Sequence, residues 1–146
     1  MTVALQARKV AEQIARSLPG VALEADGSSL QVPGKDLLAV AGFLKSTPDL
    51  DMDYLSNLTA VDFLDYFEVV YFLSSLKHNH SLTLKVKCFG RDNPEVPSVV
   101  GLWRSADFQE REVYDLLGVR FSGRPDLRRI LLWEGYQGHP LRRDYL

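Results

Sequence analysis

Apolar residues recur at helical spacing through Val3, Ala7, Val10, Ile14 and Leu18, and Pro19-Gly20 ends the run. The pattern predicts a first helix with one buried stripe. Val21-Ala-Leu-Glu24 and Leu30-Gln-Val32 alternate on either side of Asp26-Gly27, as in a short β-hairpin. Pro33-Gly34 leads into a second helix over residues 36–45, with Asp36 placed where a carboxylate suits the helix dipole and Pro48 just beyond. Residues 55–62 read either as a strand or as a helix-to-strand passage. Phe67-Glu-Val-Val-Tyr-Phe-Leu73 is β-rich and apolar on both faces, which predicts a central strand. Lys77-His-Asn-His80 makes a turn, and Leu82, Leu84, Val86 and Cys88 then alternate with Thr83, Lys85 and Lys87 as a half-buried partner strand.

Residues 90–101, with Pro94 and Pro97, read as a loop. A third helix follows over residues 105–117, with Asp107 in its first turn and Gly118 as its stop. Beyond it Gly123, Pro125, Gly135, Gly138 and Pro140 break every run. This order predicts an α+β fold: a two-layer sandwich, with a mixed sheet of about five strands, helices on one face and an irregular C-terminal tail. One domain over residues 1–146 is expected, divided into an α/β core (1–104) and a motif helix with a docking tail (105–146). Leu127, Ile130, Leu131, Leu132 and Trp133 in that tail must cover something, either the domain's own surface or a partner.

A chain of 146 residues with 46% hydrophobic and 25% charged residues fits one globular core. Its net charge of -2 gives no pull toward nucleic acid or an anionic membrane. Single-stranded nucleic acid is a poor fit for the tail too, because seven acids between Asp107 and Asp144 nearly balance eight arginines. No window approaches the eighteen or so apolar residues that span a bilayer. The first residues lack the basic-then-apolar layout of a secretion signal. A soluble protein is expected, with any membrane association only through partners.

Charge is unevenly spread. Six carboxylates and no Lys or Arg lie between Ser46 and Leu76, and every basic residue after Lys87 is an arginine. Arginine suits partly buried, bidentate pairing with carboxylates, so the C-terminal third reads as an Arg-rich contact face.

Candidate chemistry is sparse. On a helix, Glu112 and Asp115 are i,i+3 neighbours and Arg111 and Asp115 are i,i+4 neighbours. Paired carboxylates can hold a metal or act as acid and base. Here Arg111, Arg120, Arg124, Arg128 and Arg129 should neutralise Glu110, Glu112 and Asp115 and hold their pKa values down, where a general base needs tuning toward neutrality. The cluster reads as a salt-bridge network, with a small metal-dependent hydrolase using Glu110, Glu112, Asp115 and His139 as the alternative. His78 and His80 read as a solvated hairpin tip, and His139, in a rigid Gly138-His139-Pro140 turn, as a hydrogen-bonding group of core or interface. Cys88 reads as a small buried hydrophobe, and alone it cannot hold an iron–sulfur cluster or structural zinc. No Gly-rich nucleotide-binding motif or nucleophile elbow is present.

One long motif remains. It comprises Glu110-Arg111-Glu112, Tyr114-Asp115, Gly118-Val119, Phe121, Pro125, Leu127, Arg129-Ile130-Leu131, then Gly138-His139-Pro140-Leu141-Arg142 and Asp144, with Leu58-Thr-Ala-Val-Asp62 upstream. It closely resembles the pattern of the thirty-kilodalton subunit of respiratory complex I, the NADH-quinone oxidoreductase, over about residues 50 to 145. Two departures stand out: Arg124 where that family usually has His, and Phe108 where Trp is common. Arg for His keeps a donor but fixes the positive charge.

The resemblance implies a noncatalytic structural subunit of the hydrophilic, peripheral arm of NADH:quinone oxidoreductase, seated against the large quinone-site subunit. It implies no cofactor in this chain, with flavin and iron–sulfur clusters in partner subunits. The motif positions Glu110, Arg111, Glu112, Tyr114, Asp115, Gly118, Arg128, Arg129, Gly138, His139, Pro140, Arg142 and Asp144 are expected to shape the tail and its interface. On this reading Arg129→Ala weakens assembly and leaves the isolated fold intact. The equivalent subunit of a membrane-bound hydrogenase, or of a related quinone-reducing dehydrogenase, is the alternative of the same fold.

Overall fold

The computed structural model describes residues 2–133 and 135–145. Its elements in chain order are β1 (Val3–Ala4), α1 (Ala7–Ser17), β2 (Glu24–Asp26), β3 (Ser29–Gln31), α2 (Leu37–Ser46), β4 (Tyr54–Asp62), β5 (Tyr66–Ser75), β6 (His80–Phe89), β7 (Glu95–Pro97), α3 (Ala106–Leu117) and β8 (Arg120–Ser122). Six strands form one mixed sheet, ordered β2-β3-β6-β5-β4, with β1 also pairing with β6. The two long hairpins β4–β5 and β5–β6 are antiparallel, and β3 joins β6 in parallel.

Register decides which side chains meet. Leu30, Leu84 and Tyr71 are direct partners across β3, β6 and β5, and Leu58 extends the row onto β4. Phe67, Val69, Tyr71 and Leu73 share this face with Leu82, Leu84, Val86 and Cys88, and all are buried. Helices α1 (Val10, Ile14), α2 (Leu37, Val40, Leu44) and α3 (Ala106, Val113, Leu117) supply the second layer of the same hydrophobic cluster. Glu68, Val70, Phe72, Lys85 and Lys87 lie on the opposite face of the sheet, where Glu68 and Val70 are buried and Phe72 and Lys87 are exposed. The two-layer α+β sandwich with helices on one face is thus the observed architecture.

Two local readings are corrected, and one left open is resolved. Val3 belongs to β1 and not to the first helix: its N–H bonds Asn79 and that of Leu5 bonds Ser81, so tertiary pairing overrides the helical spacing. The segment 90–101 contains β7, which pairs in parallel with β8 inside the supposedly irregular tail. Two strands of three residues, 25 positions apart in their paired residues Glu95 and Arg120, leave no periodicity to read. Residues 55–62, left open between two readings, form the edge strand β4 with a bulge between Leu55 and Asn57.

The outer edge of β4 is covered. The Gln109 side chain accepts the Leu58 N–H at 2.6 Å, and the Ser105 hydroxyl donates to the Leu55 carbonyl at 3.0 Å. Both come from the start of α3, so the helix that closes the core also satisfies exposed strand backbone. His78 and His80 are likewise engaged, each through Nε2 at 2.7 Å to the carbonyls of Pro48 and Leu50, with their rings stacked. They fasten the β5–β6 turn to the α2–β4 connection, a tie that the hairpin-tip reading did not include.

The two faces of the sheet should answer differently to truncation. Leu84→Ala is expected to lower unfolding free energy by about 2–5 kcal/mol through the cavity it leaves. Phe72→Ala, on the open face, should cost about 1 kcal/mol or less. Urea denaturation of the two variants checks this.

Candidate functional site

The motif begins on α3. Glu110 and Asp115 are five residues apart, so about 140° separates them around the helix and they cannot share one site. Both are fully buried. Each meets its own arginine from the tail.

Glu110 faces the segment before the helix. Its Oε1 accepts the Ser98 hydroxyl (2.6 Å) and Arg124 Nη1 (3.1 Å), and its Oε2 accepts the Val99 N–H (2.9 Å). Arg124, with a side chain only 2% exposed, also pairs with Asp107 and Asp126. Three carboxylates thus surround one guanidinium. Burial pushes the Glu110 carboxyl above its ordinary value, outweighing these hydrogen bonds. This corrects the expectation that nearby arginines hold it down: desolvation of the carboxylate wins. For Arg124, desolvation works against the charge, yet Asp126, Asp107 and Glu110 outweigh it and raise its pKa.

Asp115 points to the other side, under the tail. Its Oδ2 accepts three consecutive backbone N–H groups, Ile130 (3.1 Å), Leu131 (2.7 Å) and Leu132 (2.9 Å), while Oδ1 accepts Arg129 Nη1 at 2.7 Å. Here burial also opposes ionisation, but the Leu132, Leu131 and Ile130 amides and Arg129 together lower the pKa. Arg129 further donates to the carbonyls of Asp115 and Gly138.

The last turn of α3 has carbonyls without intrahelical partners. The tail supplies the donors. His139 Nδ1 donates to the Asp115 carbonyl at 2.9 Å, and the Leu141 N–H donates to Leu116 at 2.9 Å. Burial lowers the His139 pKa, and Nδ1 carries the hydrogen because its partner is a carbonyl. It lies so close to Gly118 that a Cβ there would stand 2.7 Å from His139 Cδ2, and Gly118 itself has φ +78°. Gly118 is therefore required twice, as a left-handed helix stop and as the floor under the imidazole. Gly138, at φ +88°, abuts the Tyr145 ring in the same way.

A third tie closes the far end of the core. Asp62 accepts a two-pronged bond from Arg91 (2.7 and 2.8 Å) and the N–H groups of Leu64 and Arg143, each at 2.8 Å. The Arg91 pair lowers its pKa foremost, against burial. Arg91 also binds Asp144 at 2.9 Å, and Arg142 reaches the Arg91 carbonyl. The guanidinium groups of Arg91 and Arg142 lie 4.7 and 5.0 Å from the Phe67 ring.

Of the motif residues singled out from sequence, Glu110, Asp115, Arg129, Gly138, His139, Arg142 and Asp144 are thus tied within the chain. Arg111 reaches the carbonyls of Arg128 and Arg129. Tyr114 stacks obliquely on His139, and Pro140 continues the same turn. Glu112 and Arg128 are exposed. The four residues of the hydrolase alternative are dispersed: Glu110 and Asp115 bind different arginines, Glu112 faces outward, and His139 Nδ1 is used on a carbonyl. Sequence reasoning missed Asp62, Arg91, Asp107 and Asp126 as members of the network. Their partners lie up to 81 positions away in the chain, and only the Asp62 strand carried any signal, through its motif.

Residues 30–146 match the family described as respiratory-chain NADH dehydrogenase, 30 Kd subunit. The chain belongs to this family. A 117-residue segment is 44% identical to a NADH-quinone oxidoreductase subunit of Rhizobium meliloti (strain 1021), covering 78% of this chain and 63% of that protein. Over 149 residues it is 41% identical to the corresponding NADH-quinone oxidoreductase subunit of Roseiflexus sp. (strain RS-1), covering 97% and 85% respectively. The chain thus spans less than two thirds of the Rhizobium relative. The mitochondrial 30.4 kDa subunit of NADH-ubiquinone oxidoreductase from Neurospora crassa is 42% identical over 123 residues, 82% of this chain and 43% of that one. Among solved structures, a chain of an archaeal membrane-bound sulfane sulfur reductase superposes with a TM-score of 0.76 at 21% identity, over 95% of this chain and 85% of that chain. That likeness shows a shared fold.

Because Asp115 and Gly138 would lose a donor, Arg129→Ala is expected to loosen its own tail as well as any assembly, read as a lower Tm. Asp115→Asn should cost about 3–5 kcal/mol and expose residues 130–141 to limited proteolysis. The sign with pH follows from the lowered carboxyls. Stability from Asp115 and Asp62 is fully present above the unfolded value of about 3.9 and is lost as pH falls through their folded values. The acid limb of a stability–pH curve should therefore be shallower in Asp115→Asn than in wild type. Gly118→Ala should cost about 1–3 kcal/mol, through backbone strain and displacement of His139, read as a lower Tm.

Proposed function

We propose that the chain is a noncatalytic structural subunit of the peripheral arm of NADH:quinone oxidoreductase. The family match over residues 30–146 carries this reading. Relatives named as subunits of NADH-quinone oxidoreductase support it. The chain's part is to hold neighbours in register while they pass electrons from NADH, through flavin and iron–sulfur clusters of their own, to quinone, with coupled proton translocation. Its principal neighbour is the large quinone-site subunit.

The geometry supports a scaffold role. The motif's buried carboxylates hold a non-repetitive tail of about 25 residues rigidly on the body, and that tail displays Leu131, Trp133 and Leu141, each exposed by 60% or more. No helix among the described residues is long and apolar enough to cross a membrane. Attachment at the cytoplasmic face of a bacterial plasma membrane is through the partners.

Affinity isolation of the tagged chain from its native membranes tests the reading. The quinone-site subunit should follow, with flavin and iron–sulfur subunits, and deletion of the chain should lower NADH:quinone reductase activity of the membranes about tenfold or more. A nickel-site subunit in their place would assign the chain to a hydrogenase. Recovery of the chain alone at every salt concentration would overturn the scaffold role.

A further inference from the structure

Among the described residues, ion pairing engages most of the C-terminal carboxylates but only some of the C-terminal arginines. Asp62, Asp107, Glu110, Asp115, Asp126 and Asp144 each face an arginine of this chain. Arg128 is exposed and takes part in none of these ion pairs, although Asp126, itself paired with Arg124, feels its charge through space.

Arg128 and Arg129 border a concavity of about 350 Å³, lined by Tyr114, Leu127, Arg128, Arg129, Leu132 and Gly135. Tyr114, Leu127 and Leu132 give it a half-buried apolar floor. The charges among the described lining residues are both positive. Arg120, also exposed, lies 5.4 Å from the Tyr114 ring and adds a third cation beside the same wall. The floor is held in place from behind, because the Asp115 carboxylate binds the Leu132 N–H and Arg129 together. A site fixed before binding loses little ordering entropy on association.

We propose that this cleft is the pocket for an acidic, apolar-anchored segment of a partner subunit. An aliphatic or aromatic side chain fills the Tyr114–Leu127–Leu132 floor, and a neighbouring Asp or Glu pairs with Arg128. The inference rests on the reading of the chain as an assembly subunit and names which of its surfaces is used and by what chemistry. Charge complementarity selects the occupant. A guanidinium offers a planar fork that matches a carboxylate, and its value rises where water is excluded by apolar neighbours. A bare small anion would leave the apolar floor wet, whereas a peptide carrying both groups covers floor and rim at once. Arginine and tyrosine are also among the residues that dominate binding at protein interfaces.

The test uses the assembled complex from native membranes. Leu132 is replaced by the photo-reactive residue p-benzoylphenylalanine, the complex is irradiated, and the joined peptide is sequenced. In parallel, Arg128→Glu and the exposed control Arg104→Glu are compared with wild type for the chain retained on the complex after a salt wash. The expected result is a cross-link to another subunit at a segment carrying an apolar residue beside Asp or Glu. Retention of Arg128→Glu should fall about tenfold or more, with an unchanged Tm, while Arg104→Glu is retained like wild type. The pocket is overturned if wild type assembles but Leu132 cross-links to a second copy of this chain, to a basic or uncharged segment, or to nothing. Equal retention of Arg128→Glu and wild type would overturn it as well. Failure of wild type to be retained on any complex instead overturns the subunit reading, and the pocket with it.

Discussion

A single carboxylate oxygen gathers residues 130–132 onto the body of the chain. Asp115 Oδ2 takes three successive backbone N–H groups while the other oxygen takes Arg129, in a site without solvent access. Three amides converging on one atom require residues 130–132 to curl around it, and the charge makes each bond stronger than a neutral one. The segment forms no strand or helix of its own. Its backbone donors would otherwise have to be satisfied by water, and the apolar side chains beside them could not be held against the body. Everything that the tail contributes, from the His139 contact with Gly118 to the Leu141 bond to Leu116, follows from that anchorage.

The other ties share its logic. In each of these ties the buried carboxylate sits on a regular element, α3 or the end of β4, and the arginine arrives from irregular chain. Desolvating a carboxylate is costly, as the raised Glu110 shows, and the cost is offset only where enough donors converge. Glu110 has a hydroxyl, an amide and a shared guanidinium, and remains raised. Asp115, with three amides and a guanidinium bonded to it directly, is lowered. Two things differ: Glu110 lies deeper among protein atoms, so desolvation weighs more on it, and Asp115 has the larger number of donors. Arg124, where the family usually has histidine, keeps a permanent charge among three carboxylates, so this joint does not loosen as pH rises through neutrality.

How much of this was legible in the sequence varies with the length scale of the signal. The β5 and β6 strands and α3 with its Gly118 stop were visible because apolar periodicity and helix-stop chemistry are local. The α+β layering followed from their order. β1, β7 and β8 were not legible, since strands of two or three residues exist only through pairing with distant chain. For the site, the density of arginine and carboxylate announced a network but not its direction. The pattern of Glu110, Asp115 and Arg129 reads equally well as a surface for another protein or as an internal lattice. Only the geometry shows that these three are turned inward, leaving Arg128 and a few tail apolars outside. Asp62 and Arg91, 29 positions apart, carry no spacing rule at all.

The covered edge of β4 has a consequence for how such a chain can meet its neighbours. With the Leu58 amide held by Gln109 and the Leu55 carbonyl by Ser105, a foreign strand finds part of the backbone ladder already occupied. The opposite edge, β2, is three residues long and begins and ends on an acid. Neither border offers a template for stacking one molecule on the next. Under the proposed reading as a subunit, a chain that waits for partners is thereby kept from pairing edge to edge with its own copies.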